Sequence, residues 1–440
     1  MLLIYLQALT PRTEYIFDLV FKNELGISYT ITTNRHAFER YGQEKLNYSC
    51  TRSDKDFFIY SSTLLFKKSI EEINIPVEKK YEFVVLFPND ASCDMGFDIF
   101  AAIFYMVSRY EEYLPFKPDK HGRFKASDSF AYQNNFLQFP VVNTWIQDFK
   151  KKLSEKFPLL QFQSGSFKAI VTYDIDLGYA FKGRSSFRFA AGSAKDILTL
   201  NFRNLLNRFS GLSGNKDPWD VYDSLKETLV KNKLRSVFFF LLGEYSTYNK
   251  NINFDHPLMA DLINNIAAFS DIGIHPSYES SENPGKILIE KSRLEKISGK
   301  KIIKSRQHYL RLKLPDTYNE LLKTGVTQDY SMGFADMPGF RAGICTPFYF
   351  YDLRNEKQTT LLLYPVTIMD GNFMKYLKKK PAESIQIIFR LIDHVKNVKG
   401  TFISIWHNHT LSNDHKNKGW REVHEAMIEK LVDNESTVVS

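Results

Sequence analysis

The sequence predicts an α/β fold: a distorted (β/α) barrel preceded by a smaller α+β amino-terminal region. From about residue 165 onward, short apolar runs typical of strands alternate with helical stretches, which is the pattern of a parallel sheet. About seven such strands in roughly 270 residues suit a closed or nearly closed barrel. We therefore expect residues 161–440 to form the barrel and residues 1–160 to form a separate amino-terminal domain.

The amino-terminal region begins with short β-type runs that are separated by polar turns. These runs lie at residues 2–9, 13–21, 27–32 and 57–66. A buried strand is expected near residue 85, and helical periodicity follows over residues 98–114 and 140–156. A polar loop around residues 119–124 separates the two helices. The mixture predicts a small sheet with helices packed on it.

The barrel region has strand-like runs that are separated by helical segments. The strand-like runs lie at residues 167–176, 235–243, 270–277, 302–312, 327–334, 338–350, 360–370 and 400–408. The predicted helices lie in a long insertion after the first strand, at residues 257–269 and 284–298, from residue 315, and at residues 381–397 and 418–433. The carboxyl ends of parallel barrel strands meet at one rim, where such folds place their chemistry.

Composition excludes several classes of protein. With 43% hydrophobic and 25% charged residues, the chain is neither disordered nor fibrous. The net charge of +8 is spread along the chain and the aromatic residues do not interleave with the basic runs, so nucleic-acid binding is not predicted. Three distant cysteines predict neither a thiolate zinc site nor a disulfide framework. No signal peptide or membrane span is apparent, and we expect a cytoplasmic protein.

Two aspartates end the first barrel strand. Asp174 and Asp176 are two positions apart, so their side chains lie on the same face of the strand. Neighbouring carboxylates repel each other unless a cation or a shared proton is present. The pair predicts either one metal ligand and one general base, or two carboxylates that cap the following loop.

Further polar residues follow the later strands, and each is expected at the same rim. They are His275, Arg306, His308, Arg341, His407 and His409. An aspartate and two histidines suit a catalytic zinc-type site with an open position for water. A second carboxylate would then deprotonate water and a separate histidine would protonate the leaving group. A buried Arg341 needs a carboxylate partner, for which Asp174 is the obvious candidate.

Residues 165 to about 415 resemble the polysaccharide deacetylase (NodB-homology) family of carbohydrate esterases. The segment TYDID resembles the first motif of that family and implies that Asp174 is the base and Asp176 a metal ligand. IGIHPSYES resembles the second motif, whose first metal-binding histidine corresponds to His275. GFRAGICTPF resembles the third motif and implies that Arg341 orients the base. FISIWHN resembles the last motif, with His407 as the general acid.

The second motif departs from the family pattern, because Glu279 stands where the family has its second metal-binding histidine. Either Glu279 is itself a ligand or His308, at the end of the next strand, supplies the missing nitrogen. We favour His308 because it follows a core strand, whereas Glu279 lies in a polar loop. A third possibility is that metal binding is lost. Met369–Asp370 is a candidate for the motif that supplies an aspartate partner to His407.

The resemblance implies a metal-dependent hydrolase that removes N-acetyl groups from an N-acetylated sugar polymer or glycan precursor. A divalent cation, zinc in the first place, is implied at Asp176, His275 and His308. The amino-terminal region resembles an extra region found in a bacterial subset of the family. The alternative is an inactive relative that acts as a glycan-binding or scaffolding module. Aromatic residues near the strand ends are candidates to line a sugar site, namely Tyr173, Tyr278, Phe348 and Trp406.

Overall fold

The structure is a computed structural model that describes most of the 440 residues. The described residues are 1–53, 56–80, 83–89, 93–183, 186–200, 216–412, 414 and 417–433. The predicted helical insertion after the first barrel strand falls partly outside them, at residues 201–215.

The described part of the amino-terminal region contains six strands. They are β1 (Leu2–Leu6), β2 (Tyr29–Thr32), β3 (Lys45–Ser49), β4 (Phe57–Tyr60), β5 (Val77–Lys80) and β6 (Phe83–Leu86). The first four form a sheet in the order β2–β1–β3–β4, and β5 and β6 form an antiparallel pair. All pairs of the four-stranded sheet are parallel, so this region has α/β rather than the expected α+β character. Parallel neighbours require crossover connections, and helices provide two of them here.

The run at residues 13–21, predicted to be a strand, is helical. A helix covers Pro11–Phe17 and continues as a wider π-type turn over Asp18–Leu25. Thr10 and Thr13 form a reciprocal capping box before it, and a proline in the first turn is compatible with the helix start. The run is apolar on most sides because the helix is buried, and Phe17 packs edge-to-face on Phe100 at 4.8 Å.

The other helices of this region match the predicted periodicity more closely. The predicted helix at residues 98–114 is shorter than expected, because its α-helical part ends at Val107 and a separate short turn follows. The α-helices after the first are Arg35–Arg40, Ile99–Val107, Phe130–Gln133 and Val141–Lys156. Short 3₁₀ turns lie at Leu64–Phe66, Tyr110–Tyr113 and Ala126–Asp128.

The second region is built on one nine-stranded sheet. Its strands are β7 (Lys168–Ile175), β8 (Arg235–Phe240), β9 (Asp271–Ile274), β10 (Lys304–Ser305), β11 (Gln328–Asp329), β12 (Phe348–Asp352), β13 (Lys357–Leu363), β14 (Ile368–Met369) and β15 (Thr401–His407). Their order is β12–β13–β11–β10–β9–β8–β7–β15–β14. All neighbouring pairs are parallel except β12 with β13. Among the described residues β12 and β14 do not pair, so the structure does not show a closed barrel, and its sheet has nine strands where a distorted, closed or nearly closed barrel of about seven was expected.

Helices connect the parallel strands and cover the sheet. They are Ser186–Leu198, Tyr222–Lys231, Pro257–Ala267, Gly285–Ser298, Asp316–Lys323, Pro381–Asn397 and Trp420–Val432. Central strands such as β7 are buried on both faces along most of their length, as expected for a covered parallel sheet. No helix in the described part of the chain is both long enough and apolar enough to cross a membrane.

The two regions share one apolar core. A single cluster of buried side chains contains Ile4 of β1 and Phe149 of the helix Val141–Lys156, together with Phe348 and Leu363 of the large sheet. Arg12 also reaches across to Glu356, with an Nε–Oε2 distance of 2.9 Å. The amino-terminal region therefore packs directly against the sheet whose edge carries the candidate site.

Candidate active site

The carboxyl end of β7 places Asp174 and Asp176 beside the neighbouring strand ends. Asp174 lies opposite His407 of β15 in the strand register and is almost fully buried. Its Oδ1 accepts a hydrogen bond from Nη1 of Arg306 at 2.8 Å, and its Oδ2 lies 3.8 Å from Nε2 of His275. A buried carboxylate of this kind requires such a cationic partner.

Asp176, His275 and His308 converge as the sequence predicts. One potential ligand atom from each of the three lies within 4.8 Å of the other two. The Oδ1 atom of Asp176 is 3.2 Å from Nε2 of His275, and its Oδ2 atom is 3.6 Å from Nε2 of His308. Both histidines are buried, whereas the Asp176 side chain is partly exposed.

The donor set suits a divalent cation. His275 donates its Nδ1 hydrogen to the carbonyl of Arg306 at 2.6 Å, and Nδ1 of His308 lies 3.3 Å from Oδ1 of Asn249. In the neutral tautomers that these bonds favour, both Nε2 lone pairs face Asp176. Oδ1 of Asp176 is buried and has no hydrogen-bond partner in the part of the chain that is described. Two nitrogens and a carboxylate oxygen that face one another without protons fit a zinc-type ion.

The pKa values of these groups reflect burial and mutual attraction. Burial disfavours ionisation of Asp176, but His308, His275 and His407 outweigh it and hold the pKa of Asp176 well below its usual range. Burial lowers the pKa of His308. For His275 burial acts in the same direction, yet the carboxylates of Asp174 and Asp176 prevail and raise its pKa. A cation at this place would therefore compete with protons, so its affinity should rise with pH.

His407 forms a separate acid–base pair with Asp370. Nδ1 of His407 lies 2.8 Å from Oδ1 of Asp370, and the backbone N–H of His407 donates to Oδ2 of the same carboxylate at 2.9 Å. Thr410 also donates its hydroxyl to this carboxylate at 2.6 Å. Burial opposes protonation of His407, but Asp370 dominates and raises the pKa of His407 to about 10. The structure thus pairs His407 with the aspartate that the sequence suggested.

His409 differs from His407 in charge and surroundings. Burial and the neighbouring His407 lower the pKa of His409. Its Nδ1 has no hydrogen-bond partner among the described residues, and its ring lies 5.3 Å from that of His407. The pKa of His409 is therefore shifted in the opposite direction to that of His407.

Arg341 does not bind Asp174, contrary to the prediction. Its Nε and Nη2 atoms donate to the two carboxylate oxygens of Glu112 at 2.9 and 2.5 Å. Glu112 belongs to the amino-terminal region, and the Arg341 side chain is 2% exposed. Arg306 takes the expected place beside Asp174 because it directly follows β10, on the same sheet edge as β7. The prediction that Arg341, as the third-motif arginine, contacts Asp174 is therefore wrong.

Glu279 does not join the ligand group but contacts it indirectly, through Asn249. The Asn249 side-chain amide donates to Glu279 Oε2, and the Oδ1 atom of the same asparagine faces Nδ1 of His308. Asn249 is buried and also accepts the backbone N–H of Tyr278 at 3.1 Å. The carboxylate in the second motif thus orients the amide that orients His308.

Three of the four aromatic candidates for a sugar site lie in the core instead. Tyr173 and Trp406 immediately precede Asp174 and His407 in their strands, so their side chains point to the opposite face. Both contact His424, Tyr173 through a 2.9 Å hydrogen bond and Trp406 through an edge-to-face ring contact at 5.0 Å. Phe348 is fully buried in the core shared with the amino-terminal region.

Tyr278 lies close to the site but beside its cavity. Its hydroxyl is 3.2 Å from Nδ1 of His121, and its ring stacks on Tyr248 with centroids 4.0 Å apart. The guanidinium of Arg311 covers the ring at 4.0 Å.

All of the candidate acid, base and ligand groups line one cavity of about 370 Å³. Both carboxylates of β7, the two ligand-type histidines and the pair of Asp370 with His407 line it. Tyr309, Lys375 and Tyr376 also line it, together with Arg123 of the amino-terminal region.

Sequence reasoning placed Arg306 at the rim but did not identify it as the partner of Asp174, and it missed Asn249 and Arg123. Arg306 carried a usable signal, because it stands two positions before His308 at a strand end. Asn249 and Arg123 lie in loops without any distinctive motif, 59 and 186 positions from the residues they contact, His308 and Tyr309. Nothing local in the sequence identifies such partners.

Comparisons with known proteins leave the activity open. A family of unknown function (DUF7033) matches residues 2–158. None of the curated proteins compared matches the chain.

Several solved structures resemble the chain at low identity. A Mycobacterium smegmatis protein, named only provisionally as a polysaccharide deacetylase, is 13% identical with a TM-score of 0.41, over 62% of this chain and 86% of the other. The polysaccharide deacetylase Bc1974 of Bacillus cereus is 11% identical with a TM-score of 0.29, over 61% and 87%. A 4-alpha-glucanotransferase of Thermococcus litoralis is 12% identical with a TM-score of 0.34, over 62% of this chain and 38% of the other. At these values the likeness says nothing of substrate, so the residues of the site must indicate it.

Proposed function

We propose that this protein is a metal-dependent hydrolase that removes N-acetyl groups from an N-acetylated sugar polymer or glycan precursor. One observation carries the proposal: a ligand-type group, a buried carboxylate and a histidine of raised pKa line the same cavity. Metal-assisted amide hydrolysis uses these three components, because water must be activated, deprotonated and added while the amine leaves with a proton.

Asp176, His275 and His308 would hold the cation, for which zinc is the first choice. When bound, the cation would polarise the amide carbonyl and make water more acidic. The nitrogen-rich ligand set and the partly exposed Asp176 are compatible with an open position for water.

Asp174 would act as the base. Arg306 holds its Oδ1, which leaves Oδ2 available to accept a proton from the attacking water. The Arg306 guanidinium also keeps the carboxylate fixed in orientation, so the base does not have to reorganise during the reaction.

His407 would act as the acid. Its raised pKa keeps it protonated at neutral pH. Asp370 holds its Nδ1 side, so Nε2, which lies 3.8 Å from Oδ2 of Asp176, would give its proton to the leaving amine. As the C–O bond to water forms and the C–N bond breaks, the proton of His407 goes to the amine. The products are acetate and a free amino sugar, and the proton taken by Asp174 balances the one that His407 gives.

The test is acetate release from a chitin-type oligosaccharide by the zinc-loaded protein, with Asp174→Asn as the matched control. We expect release by the wild type and at least a ~10²-fold slower rate in the variant at unchanged zinc content, since general base catalysis contributes roughly 10²–10⁴. Zinc binding without acetate release from any N-acetylated glycan would contradict the proposal. Glycan binding under those conditions would instead support the non-catalytic module.

A further inference from the structure

The amino-terminal region contributes a compact loop to the candidate site. In this loop, residues 119–123, Oδ1 of Asp119 accepts the backbone N–H groups of His121 and Arg123 at 2.8 and 3.0 Å. The Asp119 N–H in turn donates to the carbonyl of Arg123 at 3.0 Å. Gly122 has a φ of 77°, in the left-handed region that glycine adopts more readily than residues with a side chain. The loop therefore has a defined shape of its own.

Arg123 joins this loop to two walls of the cavity. Its side chain is nearly buried, and Asp119 Oδ2 accepts from both Nε and Nη2, at 2.8 and 2.6 Å. The remaining hydrogen-bonding capacity reaches the other region: Nη1 donates to the carbonyl of Tyr309 at 2.9 Å, and Nη2 to the hydroxyl of Tyr376 at 2.9 Å. One guanidinium thus fixes two aromatic residues that come from different loops of the large sheet.

Tyr309 is a residue that needs such support. It directly follows the ligand-type His308, and its backbone is left-handed, with a φ of 60°; Leu310 follows at 52°. Consecutive left-handed residues other than glycine are unfavourable and persist only where the surroundings impose them. The hydrogen bond from Arg123 to the Tyr309 carbonyl is one such constraint.

The same loop also supports the aromatic residues outside the cavity. The carbonyl of His121 accepts a hydrogen bond from Nε of Arg311 at 2.8 Å, and the His121 ring faces the hydroxyl of Tyr278. Tyr278 stacks on Tyr248, whose side chain is 39% exposed. An aromatic surface therefore extends from Tyr309 in the cavity towards the solvent.

We propose that the loop at residues 119–123 is part of the substrate site, with Arg123 as a positioning residue that holds Tyr309 and Tyr376. This inference rests on the proposed function and narrows its substrate to a chain of several sugars. Apolar faces of sugar rings pack on tyrosine rings, while the tyrosine hydroxyls remain hydrogen-bonded. A single sugar would occupy the cavity, and the following sugars would lie along the aromatic surface. The amino-terminal region then serves chain recognition as well as folding.

The test compares Arg123→Met and Arg123→Lys with Arg12→Met, all in the full-length zinc-loaded protein. Arg12 is a matched control because it is also buried and also joins the two regions, but it does so at Glu356, outside the cavity lining. Hydrogen exchange of residues 306–312 and 371–377 reports on positioning without any turnover. We expect faster exchange there in Arg123→Met, a smaller change in Arg123→Lys and no local change in Arg12→Met.

The second readout is KM for chitopentaose against KM for N-acetylglucosamine. Arg123→Met should raise KM for the pentamer about tenfold and KM for the monomer by less, because only the pentamer reaches the aromatic surface outside the cavity. Unchanged exchange in Arg123→Met, or an equal rise in KM for both substrates, would overturn the inference. If the wild type releases no acetate, the proposed function fails and the pentamer's dissociation constant replaces KM. Equal binding of the pentamer by wild type and Arg123→Met would then overturn this inference as well.

Discussion

Two groups of buried charges in this protein differ in how completely their atoms are paired. The first lies between the amino-terminal region and the large sheet. There Arg109 donates to Glu111 and Glu112, and Arg341 donates to both oxygens of Glu112. The second oxygen of Glu111 accepts the backbone N–H of Phe130 at 2.6 Å. Two arginines balance two glutamates, and each carboxylate oxygen has a donor.

The second group is the candidate site. Arg306 pairs with Asp174, but Oδ1 of Asp176 has no hydrogen-bond partner in the described chain and lies 3.2 Å from Nε2 of His275, while Oδ2 lies 3.6 Å from Nε2 of His308. The atoms of this group open into a cavity.

The difference shows how to separate charges that hold the fold from charges that bind or react. A closed set such as the first offers nothing to a ligand and mainly fixes the packing of the two regions. An open set leaves acceptor atoms facing one another, which is tolerable only when a cation or a proton enters. The predictions below test whether this distinction holds.

The largest effect is expected for Asp176→Ala. The variant removes a carboxylate that faces both ligand-type histidines, so bound zinc and acetate release should both fall to background while the protein remains folded. Metal analysis of the purified protein, acetate assay and circular dichroism would measure the three properties. Full zinc occupancy in Asp176→Ala would show that the open set is not a metal site.

His407→Ala should slow acetate release by about 10² to 10⁴, the usual contribution of a general acid, without loss of zinc. His409→Ala is the matched control, because its ring adjoins that of His407 but its Nδ1 has no hydrogen-bond partner among the described residues. The measurement is kcat together with metal content for both variants. An inactive His409→Ala and a normal His407→Ala would reverse the assignment of the acid.

Arg306→Lys and Arg341→Met compare the two groups directly. Arg306→Lys keeps a charge but loses the planar fork, so kcat should fall about 10- to 100-fold, as for other residues that orient catalytic groups, with modest loss of stability. Arg341→Met leaves Glu112 with one arginine, so the free energy of unfolding should fall by about 3–5 kcal/mol while the folded fraction keeps its kcat. Urea denaturation and active-site-normalised kinetics measure the two quantities.

The pH dependence of Arg341→Met provides a further check. Burial opposes ionisation of Glu112, but Arg341 and Arg109 lower its pKa to about 2. A carboxylate with a depressed folded pKa stabilises the protein above its unfolded pKa, and this contribution is lost as pH falls towards the folded pKa. Because removing Arg341 raises the pKa of Glu112, the variant should unfold at a higher pH on acidification. A stable but inactive Arg341→Met would place Arg341 in the catalytic machinery instead.

The smallest effect is expected for Asp370→Asn, which changes the pH profile more than the maximal rate. Asp370 raises the pKa of His407, and the neutral amide removes that attraction. Since the acid must be protonated, the alkaline limit of kcat should move to lower pH in the variant. An alkaline limit that does not move would mean that His407 is not the titrating acid.

The sequence was sufficient to predict which residues lie at the rim of the site, because strand ends are local features. Asp174, Asp176, His275 and His407 each follow an apolar run, and a parallel sheet necessarily gathers such ends at one edge. The place of His308 beside Asp176 and His275 was also predictable, since β9 and β10 are neighbours.

Some predictions were wrong because a contact partner lies far away in the chain or because a side chain points to the other face of its strand. Arg341 has its partner 229 positions earlier, at Glu112, and no local pattern encodes that contact. The parity of β7 and β15 already excluded Tyr173 and Trp406, because residues adjacent to Asp174 and His407 point away from them. The helix at Pro11–Phe17 was hidden by burial on most sides, although Thr10 and Pro11 were start signals.

The shared core has a consequence for the order in which the chain folds during synthesis. Residues of β1 and of the helix Val141–Lys156 belong to the same apolar cluster as Leu363. Arg12 likewise binds Glu356, which is made 344 positions later. The first region therefore cannot bury its full apolar surface when it leaves the ribosome. It must remain incomplete until the strand that contains Leu363 has been made, and the nascent chain exposes the unburied part of this apolar surface until then.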